Sequence, residues 1–171
     1  DVLSLFSATT EEDQTSGEIY FITRGEKSAL FEMSIDNVGS YSELSELPME
    51  CNLIADFSGV KYMSGVSSLK GLNLLKYNGD TVDVIYTLLD PESEIASMQE
   101  LDGILYIGSL NGDLHKFDGV SLTLDSNLSG VPYFMSRIGS QLYILVKNVN
   151  SFYVHNGTSI TKLDMESNII N

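Results

Sequence analysis

The sequence predicts an all-β fold made of four similar units that follow one another along the chain. Three observations predict it: a recurring Gly-x-x-Tyr pattern, a second turn-rich anchor after it, and strand-forming residues without helical periodicity over a helix-length window. The chain has 171 residues, 43% of them hydrophobic, which is enough to bury a sizeable core.

The first anchor is the Gly-x-x-Tyr pattern, which occurs as "GEIY", "GVKY" and "GILY", and once with an extra residue as "GSQLY". Its tyrosines are Tyr20, Tyr62, Tyr106 and Tyr143, spaced 42, 44 and 37 residues apart. The second anchor follows the last three as "LKYNG" (75–79), "HKFDG" (115–119) and "YVHNG" (153–157). The first unit carries "SIDN" (34–37) at that place, without the glycine. Two anchors in near-constant register indicate a structural repeat.

Each unit reads as four short strands rich in Tyr, Phe, Val and Ile, the residues that suit a half-buried pleated surface. In the third unit the turns fall at Asp102-Gly103, Asn111-Gly112 and Asp118-Gly119, where Asx-Gly pairs favour tight hairpins and hence an antiparallel meander. In order, the predicted strands are VLSLFSA, EIYFITR, ALFEMSI and SYSELSEL; CNLIADF, VKYMSGV, GLNLLKY and TVDVIYTL; EIASMQEL, ILYIGSL, DLHKFD and VSLTLDSNL; VPYFMSRI, QLYILVK, SFYVH and SITKLDM.

A four-stranded unit repeated about every 40 residues is typical of a β-propeller blade, because one blade alone cannot bury both faces of its sheet. The layout resembles the β-propeller superfamily over nearly the whole chain. The predicted blades are 1–48, 49–90, 91–130 and 131–171, forming a single domain that is part of a larger propeller. The four tyrosines are expected to pack between blades, with each hydroxyl reaching a partner.

Particular propeller families are not matched, since the chain lacks tryptophan, Gly-His and Trp-Asp dipeptides, a Gly-Gly pair and the S-x-D-x-G-x-x-W box. The phrase "LYIGSLNGDLHKFDG" (105–119) looks like blades of bacterial sensor propellers and of propeller domains in phage tail proteins. That likeness carries no functional residue over to this chain. A chain of four blades could also pair with another copy, and an open ring would expose blade faces that need a cover.

The net charge of −15 disfavours nucleic acid as a partner and fits basic partners, cations or a solvated surface that keeps the protein soluble. No segment approaches the ~18 apolar residues of a membrane helix, so no membrane contact is expected. The single cysteine, Cys51, excludes an intrachain disulfide and is expected to be a buried small hydrophobe. The start at Asp1, without Met or leader, favours a processed chain or a segment; the compartment is not predicted.

Candidate site residues all have a simpler structural interpretation. His155 takes the place that Tyr77 and Phe117 fill in other units, and His115 lies in a strand; neither has the companions of a zinc site. The carboxylates of Asp90–Glu94 lack the glycine of a calcium loop, and Thr9–Glu18 reads as a polar loop that is either disordered or touches a partner. Asn127 and Asn156 match the glycosylation sequon, but Asn156 sits in a tight turn.

The sequence contains no nucleophile elbow and no phosphate-binding glycine loop. We therefore expect no catalytic residues, no metal and no cofactor, and a non-catalytic scaffold that binds protein through its loop faces. Two alternatives remain open: a structural component of a large assembly such as a phage tail or virion, and a carbohydrate-binding or carbohydrate-active propeller. The last would place two carboxylates about 5–10 Å apart.

Overall fold

The computed structural model describes residues 4–5, 18–23, 28–34, 40–66, 71–90, 92–147 and 151–164. These residues form sixteen strands in four antiparallel four-stranded sheets, and they contain no helix. The chain divides into two compact units, unit 1 from Asp1 to Pro91 and unit 2 from Glu92 to Asn171. Each unit holds two sheets whose strands follow chain order, as the sequence predicts for meanders.

Unit 1 contains sheet 1 and sheet 2. The strands of sheet 1 are β1 (Ser4–Leu5), β2 (Glu18–Thr23), β3 (Ala29–Ser34) and β4 (Tyr41–Glu46). The strands of sheet 2 are β5 (Glu50–Phe57), β6 (Val60–Val66), β7 (Leu72–Tyr77) and β8 (Val82–Leu88).

Unit 2 contains sheet 3 and sheet 4. The strands of sheet 3 are β9 (Ile95–Leu101), β10 (Ile104–Ser109), β11 (Asp113–Phe117) and β12 (Leu122–Asn127). The strands of sheet 4 are β13 (Val131–Ile138), β14 (Gln141–Lys147), β15 (Ser151–His155) and β16 (Ile160–Asp164).

The turns between the third and fourth strands of sheets 2, 3 and 4 share one chemistry. Each begins with Asn78, Asp118 or Asn156, whose side-chain oxygen accepts hydrogen bonds from the backbone N–H groups two and three residues later, at 2.7–3.0 Å. A glycine with positive φ follows each Asx residue. The second sequence anchor is therefore an Asx turn, which holds the backbone without help from other elements.

The same β-bulge recurs in the fourth strand of sheets 1, 2 and 3. The extra residue is Leu44, Ile85 or Asp125, and each lies between the partners of equivalent third-strand positions. A bulge breaks the period-two alternation, so the extra residue is turned to a direction that the strand pattern does not predict. The repeat is thus preserved down to the register of single residues.

The two sheets of each unit pack face to face on an apolar core. In unit 1, Ile22 and Leu30 of sheet 1 lie in one cluster with Met63 and Leu75 of sheet 2. In unit 2, sheet 3 contributes Tyr106 and Leu114, among others, and sheet 4 contributes Met135, Leu142, Ile144, Val146 and Tyr153. The packing is close at Gly108, where an added Cβ would lie 2.5 Å from Cγ of Pro132.

Candidate functional site

Four polar side chains meet where sheets 3 and 4 pack together, and we name them the Asp125 cluster: Tyr106, Lys116, Asp125 and His155. Oδ2 of Asp125 lies 3.2 Å from Nε2 of His155, and its other oxygen forms an ion pair with Lys116. The rings of Tyr106 and His155 stand 4.7 Å apart, and each residue is 1% exposed. One carboxylate therefore joins a cation of its own sheet to an imidazole of the next.

The hydrogen bonds of His155 define its tautomer. The backbone N–H of Gly157 donates to Nδ1 at 2.9 Å, so the proton of the neutral ring lies on Nε2, where it donates to Asp125. Burial is the largest cause that lowers the pKa of His155 below 6.5. The charge of Asp125 raises this pKa, and the charge of Lys116 lowers it further. The imidazole is accordingly held neutral at neutral pH.

Tyr106 completes the cluster from β10. Burial, followed by the charges of Asp125 and Asp102, raises its pKa to about 12. Its phenol is therefore held in the protonated form at neutral pH. The ammonium of Lys116 lies 5.9 Å from its ring centroid. With Tyr106 and His155 almost fully buried, the cluster joins sheet 3 to sheet 4.

The equivalent place in unit 1 uses other residues. Tyr20 of sheet 1 faces Lys61 of sheet 2, whose ammonium lies 4.3 Å from the ring centroid. Lys61 also forms an ion pair with Asp56, its cross-strand neighbour, and the hydroxyl of Tyr20 donates to Glu32 at 2.7 Å. The expectation of a packing role with a partnered hydroxyl fits Tyr20 directly.

The other two tyrosines occupy different environments. Tyr62 is 3% exposed, and burial raises its pKa. Tyr143 is half-buried, and its hydroxyl donates to Gln141 of its own strand at 3.0 Å. It lies on the face of sheet 4 that points away from the unit 2 core, so it packs against no other sheet of that unit.

The end of unit 2 that carries the β9–β10, β11–β12, β13–β14 and β15–β16 turns is named the turn end. Arg137 lies there, with Nη1 2.9 Å from Glu100 and Nη2 3.5 Å from Asp102, which ties the ends of sheets 3 and 4 together. Two apolar side chains are open to solvent, Val120 at 89% and Ile138 at 62%. Because its turns are short and internally hydrogen-bonded, this end presents fixed positions to solvent.

Backbone donors also lower the pKa of Asp118 at the turn end, through the N–H groups of Ser121 and Val120. The turn end therefore combines exposed apolar groups with the carboxylates of Asp102 and Asp118. Such a surface can accept a protein partner that offers apolar and basic side chains.

The remaining candidates from the sequence have structural roles or lie outside the described residues. His115 is 7% exposed, burial lowers its pKa, and its Nδ1 has no hydrogen-bond partner within the described part of the chain. Cys51 is buried in the unit 1 core, and its thiol donates to the carbonyl of Met49. Asn156 holds its Asx turn, and Asn127 donates to Asp113 at 2.7 Å.

Two acidic or polar loops were also singled out from the sequence. In Asp90–Glu94, Ser93 is fully buried, and the described residues contain no cluster of His, Cys, Asp or Glu suited to a metal ion. The loop Thr9–Glu18 falls outside the described residues except for its last position.

Sequence reasoning missed Asp125. Strand alternation gives no reason to expect it beside His155, because its direction is set by the bulge in β12. One signal was present: Asp125 aligns with Leu44 and Ile85 in the other units, so it is a carboxylate at a repeat position that is otherwise apolar. A carboxylate at a bulge position that is apolar in other units indicates that it has a hydrogen-bonding partner in the protein interior.

Comparisons with known proteins identify the fold. No family model matches the sequence, and no curated protein matches it. Among solved structures, the WD40 β-propeller domain of Doa1 is similar with a TM-score of 0.60 and 10% identity, over 88% of this chain and 52% of that chain.

Two further solved structures are similar. A chain of the S. cerevisiae complex of Dbp5 bound to Nup159 and Gle1 has a TM-score of 0.54 and 10% identity, over 96% of this chain and 47% of that chain. The GH93 α-L-arabinofuranosidase of Fusarium graminearum has a TM-score of 0.54 and 7% identity, over 94% and 64%.

The fold is that of a β-propeller. Its four sheets correspond to blades, which confirms the fold class that the repeat predicts. The chain spans about half the length of the first solved structures that it matches. Within the described residues, no helix is long and apolar enough to cross a bilayer. Propellers among its structural neighbours include proteins that bind other proteins as well as a glycosidase.

Proposed function

We propose that this chain is a non-catalytic propeller scaffold that binds a protein partner through a loop face, and that the turn end of unit 2 is that face. The observation that carries the proposal is that one hydrogen-bonded turn end carries the exposed side chains of Val120 and Ile138 together with the carboxylate of Asp118. A partner segment with apolar and basic residues complements it, in keeping with the net charge of −15.

The chemistry of the buried groups supports a scaffold over an enzyme. The imidazole of His155 is engaged at both nitrogens, and Tyr106 is held protonated and 1% exposed. Of the carboxylates that converge at the turn end, Glu100 and Asp102 both bind Arg137. Such a shared ion pair differs from the acid and nucleophile pair of a glycosidase, in which one carboxyl group must be held protonated.

The proposal treats residues 1–171 as one propeller segment with blades 1–48, 49–90, 91–130 and 131–171, one that belongs to a larger ring. A structural role in a large assembly such as a virion is the second candidate. It is favoured by apolar side chains that sheets 1 and 4 leave open to solvent, such as Tyr41 and Phe134. No observation in the described part of the chain favours a sugar-binding role over these two.

The test begins with finding the partner by affinity capture and cross-linking, followed by calorimetry with the purified partner. The double variant Val120→Ser/Ile138→Ser should weaken binding by at least tenfold, since exposed apolar anchors at an interface centre dominate affinity. The matched control is Val84→Ser/Leu89→Ser, which removes two exposed apolar side chains of unit 1. It should bind like the unmodified chain.

Affinity should also fall as salt rises from 50 to 500 mM, because the carboxylates at the turn end attract a basic segment. Equal loss of affinity in both double variants, or no loss in either, would reject the turn end as the binding face. Turnover of a glycoside substrate panel by the purified chain would reject the non-catalytic assignment.

A further inference from the structure

Sheets pack in the same direction in both units. In unit 1, the face of sheet 1 that carries Tyr20 and Ile22 packs on the face of sheet 2 that carries Lys61 and Met63. In unit 2, the face of sheet 3 that carries Tyr106 and Leu114 packs on the face of sheet 4 that carries Leu142, Ile144 and His155. In each unit, therefore, the earlier sheet packs through the face that carries its repeat tyrosine. The later sheet packs through the face opposite its own repeat tyrosine.

Sheet 4 has a tyrosine face that its own unit does not cover. Leu142 and Ile144 face the unit 2 core, so alternation places Tyr143 and Leu145 on the other side. Strand register places an unbroken apolar row across the four strands of that face, made of Phe134, Leu145, Phe152 and Leu163.

The row on sheet 4 is accessible. Phe134 is 51% exposed and Leu163 is 41% exposed, while Leu145 and Phe152 between them are half-buried. The rings of Tyr143 and Phe152 lie 6.4 Å apart on the same face. A continuous patch of this kind marks an interaction site, unlike single exposed apolar residues.

Sheet 1 has the complementary open face, since no sheet precedes it among the described residues of unit 1. Opposite its packed Tyr20 face lie Phe21 and Phe31, whose rings stack at 5.2 Å, with Tyr41 edge-on at 5.6 Å from Phe31 and 65% exposed. By register, Phe21 and Phe31 are equivalent to Met63 and Leu75, which in sheet 2 receive the preceding sheet.

We propose that the chain associates with a second copy of itself, the tyrosine face of sheet 4 in one copy packing on the Phe21 face of sheet 1 in the other, and reciprocally. In this dimer, Tyr143 would pack against Ile19 and Met33 of the other copy. By strand register, Ile19 takes the position of Lys61 in sheet 2, and Met33 takes the position of His155 in sheet 4. Two copies supply eight sheets, which agrees with solved propellers about twice as long as this chain.

The test measures the oligomeric state of the purified 171-residue chain by sedimentation velocity and light scattering. Protein concentrations of about 1–100 µM cover the dissociation constants that are typical of non-obligate complexes. The expected species has twice the mass of one chain. Phe134→Glu/Leu163→Glu on sheet 4, or Tyr41→Glu on sheet 1, should each give a monomer. Leu89→Glu, at a position that is 68% exposed and belongs to neither sheet 1 nor sheet 4, should leave the dimer intact.

Mixing the two monomeric variants identifies which faces meet. The Tyr41→Glu variant has an unaltered sheet 4, and the Phe134→Glu/Leu163→Glu variant has an unaltered sheet 1. In the mixture these two unaltered faces can still meet, so association should return. Circular dichroism confirms that each variant is folded, and Phe134→Ser/Leu163→Ser replaces the glutamate variant if it is not.

A monomeric unmodified chain, a stoichiometry other than two, or a dimer that persists in the face variants would overturn the proposal. Monomeric variants that stay monomeric when mixed would overturn the head-to-tail pairing. The proposal is independent of the turn end, since none of its variants alters Val120 or Ile138.

Discussion

The contacts between sheets in unit 1 and in unit 2 begin from the same tyrosine position and differ in chemistry. In unit 1, Lys61 reaches across to the ring of Tyr20, and its counter-ion Asp56 belongs to its own sheet. In unit 2, the cation stays beside the tyrosine on sheet 3, and His155 of sheet 4 reaches across to Asp125.

The difference shows that the repeat keeps the position of the tyrosine and the packing of the sheets, whereas the charged partners of the tyrosine differ between the units. Both arrangements place a tyrosine beside a cation or an imidazole and pair the charge with a carboxylate. Unit 2 alone carries titratable imidazoles, since both histidines of the sequence fall between residues 92 and 171. The two units should therefore respond alike to changes in packing and differently to changes in charge.

Removal of a core leucine should have the largest effect and should be similar in both units. Leu30 and Leu114 occupy equivalent third-strand positions and are each 0% exposed. Leu30→Ala and Leu114→Ala should each lower the free energy of unfolding by about 2–5 kcal/mol, measured by urea titration with circular dichroism. Leu89→Ala, at a position 68% exposed, is the control. A cost below about 1 kcal/mol in one unit would show that the cores are not equivalent.

Loss of the Asp125 charge should have the next largest effect. Asp125→Asn should lower the free energy of unfolding by about 1–3 kcal/mol, because Lys116 loses its counter-ion and His155 loses a charged acceptor. A double-mutant cycle with His155→Phe should show coupling, since the two side chains are in direct contact. Additive effects in that cycle would mean that the contact contributes nothing to stability.

Acid should destabilise the chain through unit 2. The folded-state pKa values of His155 and His115 lie below 6.5, with burial the largest cause in each, so the unfolded chain takes up protons first as the pH falls. The stabilisation is complete above pH 6.5 and decreases from there toward the folded pKa values. Asp125, Lys116 and Tyr106 face His155, and Asp113 acts on His115.

Urea midpoints at pH 7.5 and pH 5.0 measure this loss, and hydrogen exchange locates it. His155→Phe, which copies the residue at the equivalent position 117, should reduce the difference between the two midpoints. Amides of sheets 3 and 4 should lose protection earlier than those of sheets 1 and 2. An unchanged pH dependence in His155→Phe would exclude this histidine as the source.

Turn chemistry should give the smallest effect. Asn156→Ala removes a side-chain oxygen that accepts hydrogen bonds from two backbone N–H groups and should cost about 0.5–1.5 kcal/mol. Asn156→Asp retains the acceptor and should lie close to the unmodified chain, as Asp118 does in the same turn of sheet 3. Equal stability of the alanine and aspartate variants would indicate that Gly157 alone maintains the turn.

Much of the fold was predictable because it follows from local rules. The predicted third-unit strands 104–110 and 113–118 are observed as Ile104–Ser109 and Asp113–Phe117, since Asx-Gly turns fix where a strand ends. His155 was expected to fill the place of Phe117, and it pairs with Ile160 as Phe117 pairs with Leu122. Its partner Asp125 was not predictable, because a bulge and a second sheet determine that contact.

The amino-acid sequence by itself determined the strands, the turns and the fourfold repeat of this protein. These depend on interactions within a few residues or between hairpin neighbours, which periodicity and Asx-Gly pairs encode directly. Tertiary structure alone decided which side chains meet across sheets, as Tyr20 does with Lys61 and Tyr106 does with His155. Those contacts join distant residues through sheet packing and bulges, which no local pattern of the sequence specifies.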